Sequence, residues 1–218
     1  MMMRYVLPAL ALTLMPTAAS AQIVQNGSFE NPFVSDSCCN TVPGGTLPGW
    51  TLVSGDVNVV NGTFGSSPTG TNLTPWGNQY LDLIGQSGSG SISQSLTTVV
   101  GQAYQFSFNY SHNIFGNLPA ASASYSVGGL SGLVTHSTGS RSNLDWKGFT
   151  GTFTANSGST LLTFTNVSGG QSDGLLLDNV VVSAVPEPAA WAMMLFGFGA
   201  IGFAMRRKKV IGAVTQVA

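Results

Sequence analysis

Charge is scarce in this chain: Asp, Glu, Lys and Arg together make up 7% of its 218 residues, and histidine occurs twice. Between residues 22 and 184 the shortage is mostly of cations. Arg141 and Lys147 stand there against Glu30, Asp36, Asp56, Asp82, Asp145, Asp173 and Asp178. Without a basic face no phosphate backbone is attracted, which excludes a nucleic-acid partner. His112 and His136 are far apart in the chain and form no H-x-H or H-E-x-x-H spacing, which removes the common zinc-hydrolase motifs. No G-x-S-x-G elbow occurs, because GQSGSG and GLSGL both break its spacing. The glycine-rich runs lack the lysine and helix that follow a phosphate cradle, so they read as turns. Nothing in the sequence pairs any two of Asp56, Asp82, Asp145 and Asp173 as the facing carboxylates of a glycosidase, and they read as surface or turn residues.

Cysteine is equally sparse. Cys38 and Cys39 are adjacent, so no long-range disulfide within the chain is available. Neighbouring α carbons lie about 3.8 Å apart, closer than the usual disulfide spacing, and the two sulfurs join only through a strained vicinal ring. That ring, free thiols and a bridge to another chain all stay open. A metal site there is disfavoured, since no further cysteine exists and neither histidine is nearby.

Helical periodicity is missing outside the two ends. Apolar residues instead recur every second position, the period of a strand. AYQFSFNY puts Tyr104, Phe106, Phe108 and Tyr110 on one face and Gln105, Ser107 and Asn109 on the other. SISQSLTTVV, GFTGTFTA and TLLTFTN repeat the pattern more weakly, and turn formers such as PGGTLPG, SSPTGTN and ANSGS separate the runs. About nine to eleven such strands predict an all-β fold, an antiparallel jelly-roll-type β-sandwich. The run GLLLDNVVVSAV is apolar on both faces, with Leu175, Leu177 and Val181 on one and Leu176, Val180 and Val182 on the other. It belongs inside the fold. Asp178 shares the second face, where a carboxylate needs a cation or several donors. NGSFE is expected to put Glu30 on a strand leading into the body.

The ends differ from the body. MMMRYVLPALALTLMPTAASAQ has one basic residue, an apolar run and the triplet Ala19-Ser20-Ala21, the layout of a secretory signal peptide cleaved after Ala21. Pro8 and Pro16 argue against a buried first helix. At the other end, 189–205 carries no charge and as a helix is about 26 Å long, the short limit of a transmembrane span. Arg206, Arg207, Lys208 and Lys209 follow, and such a cluster stays cytoplasmic. The expected topology is body outside, tail 210–218 inside.

Pro186, Glu187, Pro188, Trp191 and Ala192, then the apolar helix, then the basic cluster, resemble a PEP-CTERM sorting signal of the Pro-Glu-Pro-x-x-Trp-Ala variant over 185–209. The resemblance implies an exosortase-type membrane protease as partner, a transient stay in the inner membrane, and delivery to the cell surface or extracellular matrix of a polysaccharide-making Gram-negative bacterium. Members usually stop at the basic cluster, whereas VIGAVTQVA continues here. A permanent single-span anchor is the alternative.

The body, 22–184, resembles the galactose-binding-like sandwich of choice-of-anchor proteins and carbohydrate-binding modules, through NGSFE, PGW, YLDLIG, SISQSL and LDNVVV. In related modules a glutamate in the first motif and an aspartate in the last hold a structural Ca²⁺. By position this implies Glu30 and Asp178, with two hydrogen-bonded carboxylates and no metal as the alternative. Sugar faces stack on aromatic rings while amides meet their hydroxyls. Trp76, in TNLTPWGNQY, and Tyr110 with His112 and Asn113 are the candidate ligand-binding residues. For Trp76, simple loop packing is an equal reading. Trp50 and Trp146 adjoin strand starts and are expected in the core. The combined expectation is an exported, non-catalytic protein that binds extracellular polysaccharide or serves adhesion, with a secreted glycan-acting hydrolase as the alternative.

Overall fold

The computed structural model describes residues 22–207 apart from 36–38, 42–45, 66–71, 87, 117, 169–172 and 187. Period-two patterning becomes eleven strands: β1 (Cys39–Thr41), β2 (Thr51–Ser54), β3 (Asn58–Asn61), β4 (Gln79–Asp82), β5 (Ser91–Thr97), β6 (Ala103–His112), β7 (Ala121–Val127), β8 (Leu130–His136), β9 (Lys147–Thr154), β10 (Ser159–Ser168) and β11 (Leu175–Ala184). A single helix, α1 (Pro188–Arg207), follows. The strands form two antiparallel sheets, ordered β1-β3-β4-β11-β6-β9 and β2-β5-β10-β7-β8. The signal-peptide expectation for 1–21 lies outside the described residues, as do Cys38, Glu187, Lys208 and Lys209.

The sheets face one another across Phe29, Trp50, Phe106, Phe108, Tyr125 and Phe164. The ring of Phe108 stands 5.0 Å from Phe164 and nearly perpendicular to it, and 5.5 Å from Tyr125. Each such side chain removed from water stabilises the fold by about 1.5–3 kcal/mol. Trp50 lies here, as its sequence position predicts. β11 is buried on both faces because loops cover the outer face of its sheet. Val60, Leu73, Tyr80, Leu144 and Leu176 form a second, smaller cluster there.

Two expectations need correction. Asn179 adopts φ 51°, and the pairing of β11 with β6 shifts register between Asp178 and Val181. That bulge reverses the alternation, so Val180 and Val182 join Leu175 and Leu177 in the main core while Leu176 stays on the outer face. Glu30 is not on a strand. Asn26 and Phe29 both have positive φ, so the chain turns there, and the segment before the turn runs along β11 through Ile23 N–H to Val182 O and Val180 N–H to Gly27 O.

α1 forms where the apolar run predicts a helix, but among the described residues no helix is long and apolar enough to cross a membrane. Met193, Leu195, Phe196 and Ile201 are exposed. The helix is apolar all round instead of along one stripe, unlike a helix that packs on a globular surface.

Candidate functional site

The loop between β3 and β4 is built around Asn72, whose Oδ1 accepts from Thr74 N–H at 3.0 Å and whose Nδ2 donates to Gly77 O at 2.6 Å. Leu73 is thereby turned into the outer cluster, and Trp76 is left half-exposed. The segment before β9 repeats this construction. Asn143 Oδ1 accepts from Asp145 N–H at 3.0 Å, Leu144 is buried in the same cluster, and Trp146 follows. The two loops lock together where Trp146 Nε1–H donates to Leu73 O at 2.9 Å. The Trp76 and Trp146 rings meet edge to face, 5.7 Å apart at 89°, and Tyr80 backs Trp146 at 5.7 Å. Such aromatic pairs add about 0.5–1.5 kcal/mol beyond their area, so Trp76 stands on a rigid support. Trp146 is accordingly not a core residue of the sandwich, as expected from sequence, but half-buried at the rim.

Trp76 borders two concavities. One, about 450 Å³, is walled by Asn72, Ser142, Asn143, Asp145 and Trp146. The other, about 520 Å³, is lined by Gln22, Asn26, Ser28 and Asn179. Asp145 is the charged member, and Lys147 Nζ donates to it at 2.8 Å. The Lys147 bond, then the Thr138 hydroxyl, hold its carboxyl below the ordinary range.

The other predicted ligand residues are placed elsewhere, and none of them lines either cleft. Tyr110 is half-buried and edge-on to His136, 6.2 Å away. His112 on β6 and His136 on β8 join the two sheets, with their Nδ1 atoms 2.8 Å apart, and His136 Nε2 contacts Asp145 O at 2.9 Å. Two imidazole nitrogens at that distance share one proton. Burial, then the charge of His136, lowers the His112 pKa. Asn113 Nδ2 donates to Asp82 Oδ2 at 2.8 Å, and Ile84 N–H donates to Oδ1 at 3.0 Å. Burial raises Asp82 from 3.8 to about 7 against these bonds, with Asp173 adding a smaller upward push.

Glu30 and Asp178 are electrostatic neighbours. Asp178 is fully buried, accepts from the Thr74 hydroxyl and, at 2.6 Å, from Asn179 N–H. Burial, then the Glu30 charge, raises it from 3.8 to about 7. Glu30 Oε1 accepts from Asn78 and Gln79 N–H at 2.8 and 2.9 Å. Two carboxylates and a hydroxyl are hard oxygen donors, and they fit a calcium ion in kind. Among the described residues no three His, Cys, Asp or Glu side chains converge, so backbone carbonyls would complete such a shell.

Sequence reasoning singled out Trp76 without the residues that surround it. The signal that could have revealed them is the echo of NLTPW at 72–76 in NLDW at 143–146. Each Asn caps the residue two places on, each Leu turns inward, and each Trp closes the loop.

The two antiparallel sheets form a jelly-roll-type sandwich of the carbohydrate-binding-module-like fold class. It is similar to TmCBM61, solved in complex with β-1,4-galactotriose, at a TM-score of 0.52 and 20% identity, covering 76% of this chain and 100% of that one. The chain belongs to the family DUF642, described as a protein of unknown function, which matches residues 22–183. A PEP-CTERM protein-sorting motif matches 184–208. Halomucin of Haloquadratum walsbyi (strain DSM 16790 / HBSQ001) is 31% identical over 180 residues, which is 79% of this chain and 2% of that protein. The chain thus spans a small part of that relative's length.

Proposed function

We propose that this is an exported, non-catalytic protein of the cell surface or extracellular matrix, sorted by an exosortase-type system and binding or adhering to polysaccharide through its sandwich. The observation that carries the reading is Trp76, half-exposed and braced at a right angle by Trp146 between amide-lined clefts. An indole held this way offers a flat apolar face ready for a sugar ring, with little left to order on binding.

The alternative, a secreted glycan-acting hydrolase, has one observation on its side: Asp82, raised to about 7, feels the charge of Asp173. A raised carboxyl beside a second one is what a glycosidase uses. Asp82, however, is 1% exposed and holds bonds to Ile84 and Asn113, so no glycosidic oxygen reaches it, and binding is favoured. A panel of neutral polysaccharides incubated with residues 22–184 tests this. Retention without new reducing ends is expected, and release of reducing ends decides for the hydrolase.

The same reading includes a structural calcium ion held by Glu30 and Asp178. In the calcium-free fold, Asp82 and Asp178 keep protons up to about pH 7 that unfolded carboxyls release near 3.8. Their contribution is complete below about pH 3.8 and is lost as the pH rises through about 7. His112 opposes them, because its lowered pKa adds stability above about 6.5 that is lost as the pH falls through its folded value. Calcium binding displaces the carboxyl proton. Added calcium is therefore expected to raise the melting temperature at pH 8, reversibly with EDTA, and to do little at pH 4. Melting at pH 8 that is indifferent to both calcium and EDTA rules the ion out.

A further inference from the structure

Trp76 is the common wall of both clefts, and the hydrogen bond from Thr74 to Asp178 ties the loop that carries it to the β11 bulge beside Asn179. The two concavities therefore lie on either side of one indole. Gln22, Asn26, Ser28 and Asn179 on one side, and Asn72 and Ser142 on the other, present amides and hydroxyls without charge. Asp145 is already paired with Lys147. Among the described side chains lining the clefts none is a free cation to meet a uronate or sulfate, and Arg141, beside Ser142, lies over the Phe115 ring. Both clefts are shallow and open to solvent.

We infer that the two clefts form a single groove crossing Trp76, which takes an internal stretch of an uncharged linear polysaccharide instead of a chain end or an acidic glycan. The inference rests on the carbohydrate-binding reading and adds ligand charge and mode of engagement. A sugar stacked on Trp76 has neighbours on both sides, each meeting one set of amides, so affinity grows as the oligosaccharide becomes long enough to enter the second cleft.

The experiment is calorimetric titration of residues 22–184 with disaccharide-to-hexasaccharide series from neutral β-1,4-galactan, xylan and glucan, and with an oligogalacturonide series. Affinity for one neutral series is expected to rise about tenfold or more with length, and the acidic series is expected not to bind. Trp76→Ala removes a buried-edge aromatic anchor and is expected to weaken binding about thirtyfold or more, with Trp76→Tyr restoring most of it. Gln22→Arg and Ser142→Arg each fill one cleft at an exposed position, without repelling an uncharged ligand. Each is expected to erase the gain from length and to leave the disaccharide bound. Equal affinity for short and long chains, no effect of either arginine, or preference for the acidic series overturns the groove while carbohydrate binding stands. Failure of the folded wild-type domain to bind any series, with its melting transition intact, overturns both.

Discussion

Gln79→Ala is expected to destabilise the body by about 3–5 kcal/mol, a large share of the stability of an ordinary domain. Gln79 lies on β4, is fully buried, and uses both ends of its amide. Nε2 donates to Phe29 O at 2.8 Å and to Pro32 O at 2.9 Å, while Oε1 accepts from Val34 N–H. Residues 29–34 have no strand partner of their own, so this one side chain stands in for a sheet ladder, helped by Asn61 Nδ2 at Val34 O. Removing it leaves three backbone groups without partners, at about 1–3 kcal/mol each, and water entering the vacated space recovers part of that. Urea unfolding of Gln79→Ala beside Gln79→Leu separates the causes. Leucine restores volume without bonds, so a loss shared by both variants assigns the effect to the amide, and recovery by leucine assigns it to packing. Glu30 sits on the released segment, so the calcium response is expected to weaken in both variants.

Deletion of residues 185–218 is expected to change the destination of the body completely. The intact chain is expected at the surface or in the matrix with its tail removed, and the truncated chain in the periplasm. Met193, Leu195, Phe196 and Ile201 project from α1 into open space. An apolar patch of that kind marks a membrane or a partner protein. The sorting motif at 184–208 coincides with this helix. Cell fractionation followed by mass spectrometry of the released body checks the expectation. Mature material that still carries Trp191 and the basic cluster Arg206 to Lys209 defeats it and leaves a permanent anchor.

The strands at 103–112 and 175–184 were legible because a half-buried strand writes its burial into every second residue, and a doubly covered strand into every residue. The pair β7 and β8 was harder to see. ASASYSV buries small alanines at Ala121 and Ala123, which carry little hydropathy contrast with serine. His112 illustrates the opposite failure. Beside Tyr110 and Asn113 at a strand end it reads as a surface ligand, yet its ring is buried against His136 on the other sheet. Local pattern reports which face a residue takes, not which distant residue shares it.

Period-two patterning, the shortage of cations and the order of motif, apolar run and basic cluster were therefore settled along the chain, because each depends on neighbours a few residues away. The reversal of β11 at Asn179, the reach of Gln79 to residues 29–34, the electrostatic proximity of Glu30 to Asp178 and the joining of Trp76 to Trp146 were settled only by the fold. Each depends on segments distant in sequence, brought near when two sheets close on one core and the loops over the outer face bury what remains.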